Sequence, residues 1–191
     1  MSREERHRQL LDHAWALIRR EGTDALTLAR LAEEAGVTKP LAYDHFVTRT
    51  GLLAALYKEY DVRQIDLMEE ALQAGEPTLA SRARVIAAAY VACVLEQGRE
   101  IAGVIAALAG SPELEALRRE CEGVFMERCR VALSPFAGAK PLSPAGLRAM
   151  LGAAEALSCA AASGEVSAGE AEDELREMII AMVSRRGGDV R

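Results

Sequence analysis

The sequence predicts an all-α chain of about nine helices, on three observations. Half of the 191 residues are apolar but only eight are Phe, Trp or Tyr, and alanine, leucine, glutamate and arginine dominate. Apolar residues return at intervals of three and four along most of the chain, the spacing that gathers them on one helix face. Glycines and prolines at 22, 36, 75, 77, 98, 110, 112 and 144 separate those runs, as helix stops and starts do.

The first stripe, Leu10, Leu11, Ala14, Leu17 and Ile18, ends at Gly22. Thr27 stands as an N-cap before the second, Leu28, Leu31, Ala32 and Ala35, and Gly36 follows where a helix commonly closes in the left-handed conformation. Thr38 offers the next cap through its hydroxyl, and Pro40 falls in the first turn, where no amide donor is missed. A short third helix therefore runs from Lys39 to about His45. Thr48 opens a fourth, about Arg49 to Ala74, carrying Leu52, Leu53, Leu56, Tyr57 and Tyr60 before Gly75 and Pro77.

Two helices follow, at about 78–97 (Val85, Ile86, Ala89, Tyr90, Cys93, Val94) and around Ile101, Val104, Ile105 and Leu108, punctuated by Gly98 and Gly110. Ser111 and Pro112 form a cap with an N1 proline, opening a helix through Leu114, Leu117, Cys121, Val124 and Phe125 toward Leu133. Residues 134–143 are a loop. The last two helices, Pro144 to about Ala162 and Ala168 to Arg186, carry the stripes Leu147, Met150, Leu151, Ala154, Leu157, Ser158, Ala161 and Leu175, Met178, Ile179, Met182, Val183. Small residues in the first of these let helix axes approach closely. A second subunit could then complete a four-helix interface; the alternative is that both stripes are buried within the monomer.

Composition excludes several functions. No run reaches the eighteen apolar residues of a membrane helix, and no apolar segment follows the charged N-terminus, so a cytoplasmic protein without a membrane partner is expected. All three histidines, 7, 13 and 45, lie in the first quarter, which leaves the larger part without an imidazole for base or metal chemistry. With no Gly-rich phosphate loop or nucleophile elbow, neither an enzyme, a metal site nor a cofactor is expected. Cysteines 93, 121, 129 and 159 form no CxxC pair and read as reduced, buried thiols, although 121 and 129 share a helix face and leave a thiol-responsive regulator open.

The formal net charge of −6 is unevenly placed. Of 23 Lys or Arg and 29 Asp or Glu, residues 1–63 hold ten of each, leaving 13 basic and 19 acidic groups beyond. The N-terminal segment is neutral and the acidic excess lies elsewhere.

Within that segment, Leu26 to Phe46 reads LTLARLAEEAGVTKPLAYDHF, two short helices joined by a tight glycine turn. This is the arrangement of a DNA-binding helix-turn-helix, and equally of an ordinary helical hairpin. The flanks decide between them. EG at 21–22, LTLARLAEEAGV at 26–37, TKPLAYDHF at 38–46 and RTGLL at 49–53 together resemble, in order and spacing, the N-terminal pattern of the tetracycline repressor (TetR) family. The match covers about the first third of the chain.

The resemblance implies a helix-turn-helix domain at 1–48, a connecting helix at 49–75 and a ligand-binding and dimerisation domain at 76–191. It implies a homodimer that binds double-stranded DNA at an inverted repeat and is released by a small effector, as a repressor rather than an activator. Residues 39–45 would enter the major groove, with Lys39 and Leu41 near base edges beside Pro40. Thr27, Thr38, Tyr43 and Arg49 correspond to backbone-contacting positions, with Arg30 and His45 less firmly so. The effector pocket would be drawn from Tyr90, Val94, Ile101, Ile105, Leu108, Leu117, Cys121 and Phe125, whose character favours a lipophilic molecule. The two C-terminal stripes would form the dimer interface.

Three positions depart from the family pattern. Ala42 replaces a larger leucine. Asp44 puts a carboxylate near phosphates, unless it reads a cytosine amino group or is neutralised by a neighbour such as Arg49. Gly51 replaces the glutamate that completes a capping box with Thr48, so a loose start to the fourth helix is expected. Asp44 and the neutral charge balance motivate the other reading, a helical ligand-binding or interaction protein with weak or lost DNA affinity.

Overall fold

The computed structural model describes residues 2–109 and 111–187, the side chains of 97–99, 186 and 187 excepted. It is all-α: α1 Arg3–Glu21, α2 Leu28–Glu34, α3 Lys39–Phe46, α4 Arg49–Ala74, α5 Leu79–Leu108, α6 Pro112–Leu133, α7 Pro144–Ser163 and α8 Ala168–Gly187, with single 3-10 turns at Thr23–Ala25 and Ser134–Phe136. Where periodicity predicts two helices, at 78–97 and 101–108, the structure has one. An interior glycine costs a helix only about 1 kcal/mol, which the apolar stripes on either side of Gly98 offset. The stop expected at Gly110 lies outside the described residues.

The chain divides into two compact units, Met1–Tyr60 with Gly98–Arg119, and Asp61–Gln97 with Glu120–Arg191. In the first, Ser2 and Glu5 form a reciprocal capping box at the start of α1. Leu10, Ala14 and Leu17 are wholly buried beneath it. The Trp15 indole N–H donates to Glu59 of α4 at 2.9 Å, and Arg19 pairs with Glu100 of α5 at 2.8 Å. Gly103 passes so close to the turn after α1 that a Cβ there would lie 2.4 Å from the Thr23 hydroxyl oxygen.

Local chemistry sets the α2–α3 turn. The Val37 N–H donates to the Ala32 carbonyl at 2.9 Å and the Gly36 N–H to Glu33 at 3.2 Å, with Gly36 at φ 63°, the expected left-handed close. At the other end of α3, Val47 sits at φ 62°, ψ −51°, and the Thr48 N–H donates to the Phe46 carbonyl at 2.6 Å. This is a γ-turn of the strained hand, on a β-branched residue.

Thr48 then caps α4 by accepting from the Gly51 N–H at 3.0 Å, so α4 starts firmly rather than loosely. Gly51 is there for space: a Cβ would meet the Phe46 carbonyl oxygen at 2.2 Å. The helix gives up a capping carboxylate and gains the closest possible approach to the end of α3.

The second unit is built on one apolar cluster that takes in Met68, Ile86, Cys129, Leu133, Leu151, Leu175, Ile179 and Val183. α7 starts at Pro144, as the sequence predicts, with Ser143 as its N-cap, and Gly164 closes it at φ 79°. Ser167 and Glu170 form a further reciprocal cap on α8. Among the described residues no helix is long and apolar enough to cross a membrane.

Candidate nucleic-acid interface

Helix α3 is held by two residues one turn apart. Ala42 is wholly buried and Phe46 nearly so, which turns Lys39, Pro40, Tyr43 and Asp44 to the outside. Tyr43 is 50 % exposed, with part of its ring and its hydroxyl at the surface. Leu41 and His45 are half-buried at its edges. Ala42 is small because it lies against the core beneath the helix.

Thr38 occupies the N-cap position, its carbonyl accepting from Leu41 at 3.0 Å, but its side chain makes no capping bond. The exposed hydroxyl is therefore uncommitted, contrary to the role expected for it. Thr27 does cap, accepting from the Arg30 N–H at 3.1 Å. Arg30 is engaged by Glu21 at 2.7 Å and Glu33 at 3.4 Å, and Arg20 by Glu34 at 2.7 Å. These partners hold the Glu21 and Glu34 carboxyls below their ordinary range. Any phosphate contact by Arg30 has to compete with them.

Arg49 points inward. Its Nε donates to the Leu26 carbonyl at 2.8 Å and one terminal nitrogen to the Thr23 carbonyl at 2.9 Å, clamping the turn that precedes α2. It does not neutralise Asp44; Arg3 of α1 stands 4.0 Å from that carboxylate, both groups largely exposed. His45 packs against α1, its ring centroid 5.7 Å from His7. His7 is the functional candidate that sequence spacing missed, because 38 residues separate the two rings.

The expected effector residues fall into two groups. Tyr90, Val94, Cys121 and Phe125 are buried in the second unit, with the Tyr90 and Phe125 rings edge-to-face at 5.4 Å. Ile101 and Leu108 are buried, and Ile105 and Leu117 half-buried, in the first. Sequence reading also missed buried polar groups on α4. Asp61 and Gln64 fall on the apolar stripe of Ile65 and Met68, a detectable signal, and Gln64 Nε2 is buried without a partner. Burial pushes the Asp61 carboxyl up, against the pull of a hydrogen bond from the Cys121 thiol.

The stripes expected at a dimer interface lie mostly inside the single chain. Leu147, Met150, Leu151, Ala154, Ser158, Leu175, Ile179, Met182 and Val183 are buried in the chain's own core; only Leu157, Ala161 and Met178 retain exposure. Periodicity identifies a buried face but not what buries it. The exposed face of α7 is a different one, Ala145, Ala149, Gly152, Ala156, Cys159 and Ser163, spaced by three and four and composed of small side chains.

Cys121 and Cys129 are buried, and burial drives the Cys129 thiol far above its ordinary value, which leaves it unreactive. Among the described residues no group of three or more His, Cys, Asp or Glu is placed to hold a metal ion.

Residues 10–56 match the family model for bacterial regulatory proteins of the tetR family. Solved structures share the fold over nearly the whole chain. A putative TetR-family regulator from Rhodococcus sp. is 21 % identical, with a TM-score of 0.78 over 94 % of this chain and 99 % of that one. A tetR-family regulator from Streptomyces coelicolor is 21 % identical, with a TM-score of 0.74 over 100 % and 92 %. The fatty acid degradation regulator FadR from Bacillus halodurans is 14 % identical, with a TM-score of 0.72 over 100 % and 99 %. No curated protein matches the chain.

Proposed function

From the premise that residues 10–56 belong to the tetR family of bacterial regulatory proteins, we propose that the chain is a sequence-specific DNA-binding transcriptional regulator and not an enzyme. It acts in the cytoplasm as a homodimer that represses from an inverted-repeat operator and leaves it when a small effector binds. The observation that carries the reading is α3: a short helix fixed from below by Ala42 and Phe46, with Lys39, Tyr43 and the uncommitted Thr38 hydroxyl on its open side.

In this reading Lys39, Pro40 and Leu41 meet base edges, Tyr43, Thr27 and Thr38 meet phosphates, and Arg49 serves mainly by holding the α2 turn in place. Asp44, half-compensated by Arg3, sets a limit on non-specific affinity. The roles divide as a DNA-binding region through residue 48, a connecting helix at 49–75 and an effector and dimerisation region at 76–191. Two copies present their α3 helices about 34–36 Å apart, one turn of duplex.

We assign the dimer seam to the outer face of α7 rather than to its buried stripe. Small side chains at 145, 149, 152, 156 and 159 permit the ~8 Å axis separation of closely packed helices. The effector is mainly apolar, in keeping with Tyr90, Val94 and Phe125, and carries one polar acceptor that the orphaned Gln64 amide would meet. It releases DNA only by binding the DNA-incompetent state more tightly than the competent one. Glu100 and Gly103 of α5, in contact with Arg19 and Thr23, give such a shift a direct hold on the DNA-binding helices. Selection of bound fragments from genomic DNA tests the reading: recovery of a common inverted repeat supports it, and no enriched sequence overturns it.

A further inference from the structure

We propose that the cleft between α1 and α3 binds a DNA backbone phosphate beside the recognition helix, and that its two imidazoles take up a proton when it does. The inference rests on the regulator reading above and concerns how that same surface is controlled. The cleft, about 510 Å³, is lined by Arg3, Glu4, His7 and Arg8 from α1, His45 from α3 and Glu59 from α4. His7 and His45 stand 5.7 Å apart between ring centroids, with the Phe46 ring 5.0 Å and 6.1 Å from them.

The charge of this cleft is decided by the histidines. Arg3 and Arg8 balance Glu4 and Glu59 when both imidazoles are neutral, and each proton taken up makes the cleft net positive. Glu59 is held by the Trp15 indole, while Asp44, 4.0 Å from Arg3, lies largely exposed at the rim. Partial burial, then His7 and Arg3, hold the His45 imidazole below its ordinary value, with Arg6 acting in the same sense and Asp44 against it.

A phosphate arriving in the cleft supplies the anion that protonation lacks. Binding and protonation therefore favour each other, and by reciprocity DNA affinity rises as pH falls. The free chain behaves in the opposite sense. Because the folded His45 value is depressed, its contribution to stability is present above the unfolded imidazole value of about 6.5 and is lost as pH falls below it.

The test is affinity for a selected duplex from pH 8 to pH 6 at constant ionic strength, with calorimetry in two buffers of different ionisation heat to count protons. Affinity is expected to rise by up to about tenfold per pH unit for each proton taken up. The slope is expected to flatten in His7→Gln and His45→Gln and to persist in His13→Gln, the remaining histidine of the chain. A flat profile, zero proton uptake, or a slope lost in His13→Gln overturns the proposal. Should a glutamine variant misfold, the proton count on the unaltered chain still decides.

Inorganic phosphate at pH 6 is expected to leave the melting temperature unchanged. A rise at low millimolar concentration would reassign the cleft to the free anion. Tight but pH-independent DNA binding removes this inference alone; no binding to any duplex at either pH removes the regulator reading with it.

Discussion

Replacing Val47 with glycine is expected to stabilise the protein while adding nothing to its packing. Val47 holds φ 62°, ψ −51° in the γ-turn between α3 and α4 and is 72 % exposed. A β-branched residue there stores about 1–3 kcal/mol of strain. Its exposure means that little burial is lost with the side chain. Glycine gives back about 0.5–1 kcal/mol through the greater freedom of the unfolded chain. The net gain is about 1 kcal/mol, or ~2–4 °C in melting temperature for a chain of this size. Val47→Ala retains a Cβ and therefore most of the strain, and is expected to gain clearly less. Denaturant unfolding measures this as a rise in midpoint at unchanged slope. A neutral or destabilising glycine, or an alanine that gains as much, would refute the argument.

Further outcomes follow from the same geometry. A Cβ added at the exposed Gly152 meets no atom within 4 Å in the chain itself, so Gly152→Leu is expected to leave the fold intact while driving the proposed dimer to monomers, read by light scattering; a variant that stays dimeric removes α7's outer face from the seam. Asp61→Asn is expected to raise the melting temperature at pH 7. The raised carboxyl favours the folded state at pH values below its unfolded value of about 3.8 and loses that contribution as pH rises through its folded value, so the advantage of asparagine must shrink in acid. Cys121→Ser with Cys129→Ser is expected to leave any oxidant response of DNA binding unaltered, since both thiols are buried; a response abolished in the double variant would restore the thiol-responsive reading.

What was legible in the sequence was what neighbouring residues decide among themselves. The Gly36 turn and the Thr27 cap rest on bonds spanning at most five residues, and the starts of α6 and α7 on their own prolines. Contacts made across long loops were not legible. Arg49 reads as a surface cation but reaches carbonyls 23 and 26 residues earlier, and the His7–His45 pair joins two helices that no local pattern links. The α7 and α8 stripes show the limit of periodicity most plainly, because a stripe facing its own core and one facing a partner have the same spacing. Gly51 misled for a related reason: its use is a backbone approach, which leaves no side-chain signature.

Whether α3 reads DNA is decided by the affinity of the chain for a selected inverted repeat across a range of salt concentrations. Saturable binding by a dimer is expected, with log affinity falling linearly against log salt by about 0.9 for each phosphate neutralised. Lys39→Ala is expected to weaken this binding. Binding that does not saturate on any duplex, or that is indifferent to salt and to Lys39, would contradict that role for α3.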